Sequence, residues 1–429
     1  MNVYDSQRIA HTLEKIGYDA AKTPADADLI IFNTCHIREK AAEKLFSDLG
    51  RINLIKQERA ERGLETVIGV VGCVVQAEDE QIAKRAPFVD FATGPLTYHR
   101  IPQILQRLEQ GEGCIIDTEF TAESKFDHLP ENRAEGACSY LAIQEGCNNF
   151  CTYCIVPYTR GVETSRPVEE VLHEAKKLVA TGTVEINLLG QNVNSYHGED
   201  AGGKERNLAF LLRKLAEIDG LQRLRYTTSY PADVDDDLIA CHRDLPQLMP
   251  YLHLPLQSGS DKILQAMNRR HTAGQYSEII GKLREANPAL GFSSDFIVGF
   301  PGETDEDFAA TMDMVEKVGY IQAFSFRYSR RAGTPAATYP DQVEEKVKQQ
   351  RLLALQDKLF ELQLNFNRSC IGKVMPVLFE SAGKKKGQLF GRTPYMQNLH
   401  AIGEKTLLNT IRQVKITDAT VNSLSGIIL

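Results

Sequence analysis

Cys147, Cys151 and Cys154 share one eight-residue loop, in the run Glu-Gly-Cys-Asn-Asn-Phe-Cys-Thr-Tyr-Cys. Three thiolates held this close can each take one iron of a cubane, and thiolate clustering is how proteins hold iron–sulfur centres. A fourth iron without a protein ligand would be open to a small molecule. A structural zinc site is the rival. It wants four Cys or His ligands in paired spacing, and His128 or His197 would have to complete it. Disulfide use fits less well, because nine cysteines is an odd count and the chain has no secretory apolar segment.

The loop directly follows an apolar, strand-like run, 140–143. Segments 184–189, 224–228, 251–256, 294–298 and 323–328 are further strand candidates, separated by helix-length stretches such as 168–180 and 305–318. Six β/α units predict an open barrel whose site lies at the carboxyl ends of the strands. The cysteine loop falls on that face.

Residues 1–111 alternate helix and strand patterns on their own. Ser6 can cap a helix with Ile9, Ala10, Leu13 and Ile16 on one face, ended by Gly17. Residues 29–32 read as a buried strand, followed by a long helix carrying Ile37, Ala41, Leu45, Leu49 and Ile52; 66–71 is the next strand. Such alternation predicts a doubly wound parallel sheet. Cys35 and Cys73 follow these two strands, so both thiols should lie at one sheet edge, with Cys35 opening a helix whose dipole favours thiolate. Cys114, Cys138, Cys241 and Cys370 have no such context and read as structural.

A looser stretch, 120–136, reads as a linker to the core at 133–366. A helical segment, 343–366, leads into a module at 368–429 of short strands (374–379, 387–391, 414–416), which predicts a small all-β barrel. That module holds nine Lys/Arg and three Asp/Glu, a net +6, leaving −14 of the chain's −8 for residues 1–367. An acidic body with a basic end points to a polyanion contact confined to that end. Lys384-Lys385-Lys386 falls in an expected hairpin loop, and Phe390-Gly391-Arg392-Thr393-Pro394-Tyr395 sets aromatics beside Arg, a pairing that suits base stacking. No apolar run approaches the ~20 residues that span a membrane, and the chain is expected to be cytoplasmic.

The spacing Cys-x3-Cys-x2-Cys, with an aromatic before the last cysteine, resembles the signature of the radical S-adenosylmethionine (SAM) enzymes. The resemblance implies a [4Fe-4S] cluster whose open iron chelates SAM for reductive cleavage to a 5′-deoxyadenosyl radical. It also places SAM contacts where the barrel strands end: Gly190 and Gln191 after the second, Thr228 and Ser229 after the third, Gly299 and Gly302 after the fifth.

Asn33-Thr34-Cys35-His36-Ile37-Arg38-Glu39-Lys40 and Val71-Gly72-Cys73 resemble the N-terminal domain of the methylthiotransferases, which hold a second, auxiliary cluster there. Met1-Asn2-Val3-Tyr4-Asp5-Ser6 looks like the segment just after that family's first auxiliary cysteine, so the start is expected to be an internal Met. Val156-Pro157-Tyr158-Thr159-Arg160-Gly161, 225–231, 267–272 and 294–304 resemble the tRNA-modifying branch; His36 departs from its usual Ser. This branch adds a methylthio group to C2 of N6-isopentenyladenosine beside the tRNA anticodon. The resemblance implies two [4Fe-4S] clusters (one on Cys147, Cys151 and Cys154, one using Cys35 and Cys73), an electron donor, a sulfur source, an RNA-binding C-terminal barrel and a monomer. A ribosomal-protein methylthiotransferase and a non-catalytic iron–sulfur RNA sensor remain the alternatives.

Overall fold

The computed structural model describes residues 1–35, 39–120, 125–130 and 132–429. The chain forms two compact units, one of 1–132 with 146–148 and 155–163, the other of 133–145 with 149–154 and 164–429.

In the first unit, α1 (Asn2–Lys15), β1 (Leu29–Asn33), α2 (Glu39–Glu61), β2 (Val67–Val71), α3 (Cys73–Arg85), β3 (Phe91–Thr93), α4 (Ile101–Glu109) and β4 (Ile115–Asp117) follow in order. The four strands are parallel in the order β1-β2-β3-β4, and Asn33, Val71, Thr93 and Asp117 end them in register. Period-2 alternation sends Ile68 and Val70 to one face, where Leu45 and Leu49 of α2 and Val74 and Val75 of α3 cover them. Val71 and Phe91 face the other way, against Ile9 of α1 and Ile101, Ile104 and Leu105 of α4. Helices on both faces make the sheet doubly wound.

Helix α1 departs from its expected form. It starts at Asn2, so Ser6 lies inside it rather than capping it, and Ala10 and Ile16 are exposed. Its buried side is Tyr4, Asp5, Arg8, Ile9 and His11. Buried charge explains the mismatch, because an apolar period cannot report it. The Asp5 carboxylate takes the Arg160 guanidinium at 2.9 Å and the Lys125 ammonium at 3.5 Å. Lys125 belongs to the stretch expected as a linker, yet it is buried and also donates to the Pro95 carbonyl at 3.2 Å.

The second unit begins with β5 (Cys138–Ala142) and β6 (Gln144–Glu145), and α5 (Val156–Arg160) lies in the loop assigned to the first unit. Then come β7 (Thr164–Ser165), α6 (Val168–Ala180), β8 (Glu185–Leu189), β9 (His197–Glu199), β10 (Glu205–Asn207), α7 (Leu208–Ala216), β11 (Arg223–Tyr226), α8 (Asp236–Asp244), β12 (Tyr251–His253), α9 (Asp261–Ala266), α10 (Ala273–Ala286), β13 (Gly291–Val298), α11 (Asp305–Val318), β14 (Gln322–Arg327) and α12 (Glu345–Ser369). Six of these strands are parallel, in two sheets ordered β5-β8-β11 and β12-β13-β14. Leu224 of β11 joins the halves by donating to the Gln247 carbonyl at 2.7 Å and accepting from Met249 at 3.0 Å. One continuous core of Ile186, Leu188, Leu212, Leu224, Phe292 and Val315 runs beneath the surrounding helices. Two strands stop short of expectation: β11 at Tyr226, before Thr228 at φ +76°, and β12 at His253, before Pro255 and Gln257 at φ +78°.

Strands β15 (Val374–Ala382), β16 (Gln388–Arg392), β17 (Asn398–Ile402), β18 (Ile411–Ala419) and β19 (Leu424–Ile428) close into a barrel in the order 15-16-17-19-18. Val377, Phe379, Leu399, Val414 and Leu424 fill it. Of the cysteines expected to be structural, Cys241 and Cys370 are buried and Cys138 is half-buried, but Cys114 is exposed. No helix among the described residues is long and apolar enough to cross a membrane.

Candidate cluster and SAM site

Strand β5 delivers the chain to the site face, where Gln144–Glu145 pair antiparallel with Thr164–Ser165 and pinch off residues 146–163. Gly146 turns into this excursion at φ +78°, and a Cβ there would lie 2.0 Å from the Val162 carbonyl oxygen, so only glycine fits. The Cys147 N–H donates to the Gly161 carbonyl at 3.2 Å. Cys151 and Cys154 are held by other means. The Cys154 N–H closes a turn on the Cys151 carbonyl at 2.9 Å, and Thr152 donates through its backbone to Met267 O and through its hydroxyl to Ala266 O. Asn268 donates to the Asn149 and Phe150 carbonyls.

Arg269 adds charge to this arrangement. Its Nη1 is 3.7 Å from the Cys151 sulfur, its Nη2 donates to the Pro255 carbonyl at 2.6 Å, and the guanidinium lies 4.1 Å over the Tyr230 ring. Burial, then the neighbouring Cys151 sulfur, pushes the Tyr153 hydroxyl well above its ordinary range, so it remains protonated.

The strand ends carry polar atoms that lack partners. Gln144 Oε1 accepts from the Gln191 and Asn192 backbone N–H groups at 2.9 and 3.3 Å, fixing the turn after β8 at Gly190. Asn192 Nδ2 donates to Asp233 at 2.7 Å, but Asn192 Oδ1 is buried with no hydrogen bond. Ser229 Oγ, after β11, and Gln257 Oε1, after β12, are likewise buried and unbonded. Each such group costs about 1–3 kcal/mol until something bonds it. A ligand carrying an ammonium, a carboxylate and ribose hydroxyls can supply those bonds, so the donor set fits SAM. The Gly299 N–H donates to Glu303 Oε1 at 2.9 Å, and Gly302, at φ +79°, faces open space where a Cβ would stand.

Cys35 and Cys73 follow β1 and β2 at adjacent positions, where the Thr34 N–H donates to the Val71 carbonyl at 2.9 Å. Cys73, buried, is the first residue of α3. His36, Ile37 and Arg38, which separate Cys35 from α2, lie outside the described residues. No three His, Cys, Asp or Glu side chains converge on one ion-sized point among the described residues. A cubane does not ask for that, since each thiolate takes a different iron. His128 stacks on His99 with centroids 5.1 Å apart, and His197 on β9 sets Nδ1 3.0 Å from the Ser195 carbonyl.

Residues 141–315 match the radical SAM superfamily, residues 1–94 match uncharacterized protein family UPF0004, and residues 368–429 match the TRAM domain. Along the chain the order is UPF0004, radical SAM, TRAM, and this set of domains fits the methylthiotransferase family. The central region is thus similar to radical SAM enzymes. Among solved structures it is similar to the radical SAM methyltransferase TsrM from Kitasatospora setae with cobalamin and a [4Fe-4S] cluster bound (13% identity, 78% of this chain and 71% of that one, TM-score 0.57). It is also similar to the cobalamin-dependent SAM radical enzyme OxsB (12% identity, 83% and 50%, TM-score 0.51). At these identities the likeness is one of fold.

Gln144 and Gln257 join the expected residues without any motif of their own to mark them, whereas Arg269 falls in the 267–272 segment and Asn192 directly follows Gln191. Gln144 and Gln257 could be found only by noting polar residues just beyond apolar strand runs.

Proposed function

We propose that this enzyme adds a methylthio group to C2 of N6-isopentenyladenosine next to the anticodon of tRNA. The observation that carries the reading is the Arg269 guanidinium beside the Cys151 sulfur, with three unbonded polar atoms waiting beyond the same strand ends. Cys147, Cys151 and Cys154 would hold a [4Fe-4S] cluster, which supplies the electron for cleaving SAM to methionine and a 5′-deoxyadenosyl radical. The chain's own part is to bind, orient and exclude water. Gln144 fixes the backbone at Gln191 and Asn192; Ser229, Asn192 and Gln257 offer the bonds that seat SAM; Thr228, Gly299 and Gly302 shape the remaining wall. Arg269 balances negative charge at the sulfurs.

Cys35 and Cys73 would serve the auxiliary cluster from which sulfur is delivered, with an electron donor and a sulfur source as partners. The exposed lysines of the β15–β16 turn, Lys384, Lys385 and Lys386, would meet phosphates of the anticodon loop. Such work suits a cytoplasmic monomer. Incubation of the anaerobically reconstituted enzyme with SAM, reductant and either isopentenyladenosine tRNA or ribosomal protein tests the reading. The 2-methylthio nucleoside is expected from the tRNA; a methylthiolated protein would move the assignment to the sibling branch. Failure to form 5′-deoxyadenosine would leave an iron–sulfur RNA sensor.

A further inference from the structure

A cavity of about 290 Å³ lies where β8, β11, β12, β14 and α12 meet the C-terminal barrel, all within the second unit. None of the eighteen residues lining it is Asp or Glu, while Arg225, Arg392 and His253 do line it. Seven of the eighteen are Asn or Gln; Gln363, Asn367, Gln397 and Asn398 donate to one another or to backbone carbonyls, so the wall mixes apolar surface with fixed amide edges. Phe324 stands 42% exposed on this wall, its ring edge-on to His253 at 6.3 Å, and Tyr395 is braced edge-on by Phe366 at 5.2 Å.

The walls are fixed. Buried Glu185 takes Arg225 at 3.0 Å and Arg223 at 3.4 Å. Arg225 then donates to the Thr393 and Pro394 carbonyls at 3.0 and 2.7 Å, and Arg223 to the Pro376 carbonyl at 2.7 Å. The Tyr251 hydroxyl occupies Gln322 Oε1 at 3.0 Å, which leaves the Gln322 amide N–H groups for a ligand. Gln322 pairs with Ser293, six residues before Gly299. At ~3.3 Å per strand residue it therefore lies roughly 20 Å along the sheet from the SAM end.

We infer that this cavity receives an unstacked RNA base other than the one that reacts. An exposed aromatic face beside a free amide N–H edge is what a splayed nucleobase requires; Arg225 and Arg392 are held by Glu185 and Glu380 and brace the wall. The inference rests on the RNA reading above. It assigns the C-terminal barrel a second task, forming half of a base-sized receptor with the core.

The chain contains no tryptophan, so Phe324→Trp puts a single indole on the cavity wall. Titration of the full-length reconstituted variant with an anticodon stem-loop RNA should quench that indole along the same curve as binding read by anisotropy. Phe324→Ala, whose side chain is exposed, should bind the RNA about 5- to 150-fold more weakly with an unchanged salt slope, since no phosphate contact is lost. RNA binding that leaves the indole emission unmoved and the Phe324→Ala affinity within about twofold of the parent would overturn the cavity assignment alone. Absence of RNA binding by the parent protein at low salt would overturn the RNA reading and the cavity with it.

Discussion

Arg269 sets its guanidinium 3.7 Å from the sulfur of Cys151. The contact joins the turn after α9 to the cysteine loop. It puts a fixed positive charge beside a sulfur proposed to hold the cluster, and a cation there would favour the more negative, reduced state of that cluster.

Arg269→Gln should therefore lower the midpoint potential of the cluster by roughly 60 mV or more, a tenfold change in a one-electron equilibrium. Arg269→Lys should recover much of it. Potentiometric titration followed by EPR reads both. Equal potentials in all three proteins would reduce Arg269 to a strut between Tyr230 and Pro255.

Ser229 separates binding from stability. Its hydroxyl is buried without a partner, so Ser229→Ala removes an unmet hydrogen bond from the SAM-free protein. The melting temperature without SAM should stay level or rise, while the Kd for SAM should increase about tenfold, the worth of one ~1.4 kcal/mol hydrogen bond. A variant that melts earlier and binds SAM normally would make Ser229 structural.

Asp5 predicts an acid transition. Burial alone would raise its pKa, but Lys125 and Arg160 outweigh burial and hold the carboxyl at about 2, below its ordinary 3.8. A depressed folded-state pKa means stability that is fully present above 3.8 and is lost as pH falls through about 2. The shift corresponds to about 2 kcal/mol. Urea unfolding of the parent should show that decline between about pH 4 and pH 2. Asp5→Asn should flatten it and, by removing the carboxylate from between two buried cations, lower stability at neutral pH.

The basic module makes a claim about salt. Four or five neutralised phosphates give a slope of log K against log salt of about −3 to −4 for single-stranded RNA, and replacing Lys384, Lys385 and Lys386 together with Ala should reduce it by about 2. Binding isotherms over a range of salt concentrations measure both slopes. A flat response would remove phosphate contact from the barrel's role.

Helices 168–180 and 305–318 were legible residue for residue, the first as a helix-length stretch opening just after Pro167 and the second from strong signals at both ends. Thr304 and Asp307 form a capping box, and Gly319 closes α11 in the left-handed region. The six parallel strands were legible from apolar runs, except where positive φ at Thr228 and Gln257 bends the chain early. Strands β3 and β4, at three residues each, are too short to show a period. The buried face of α1 was hidden because it is polar and satisfied by Lys125 and Arg160, more than a hundred residues away. At the site, the cysteine spacing was plain, but Arg269 and Gln144 act through contacts that only folding creates.

EPR of the reduced, anaerobically reconstituted protein, with and without SAM, tests the central claim most directly. The account predicts a [4Fe-4S] signal that changes shape when SAM is added, and its loss when Cys147, Cys151 or Cys154 is replaced by Ala in a variant lacking Cys35 and Cys73. A bound zinc ion in place of iron, or a cluster signal indifferent to SAM, would contradict it.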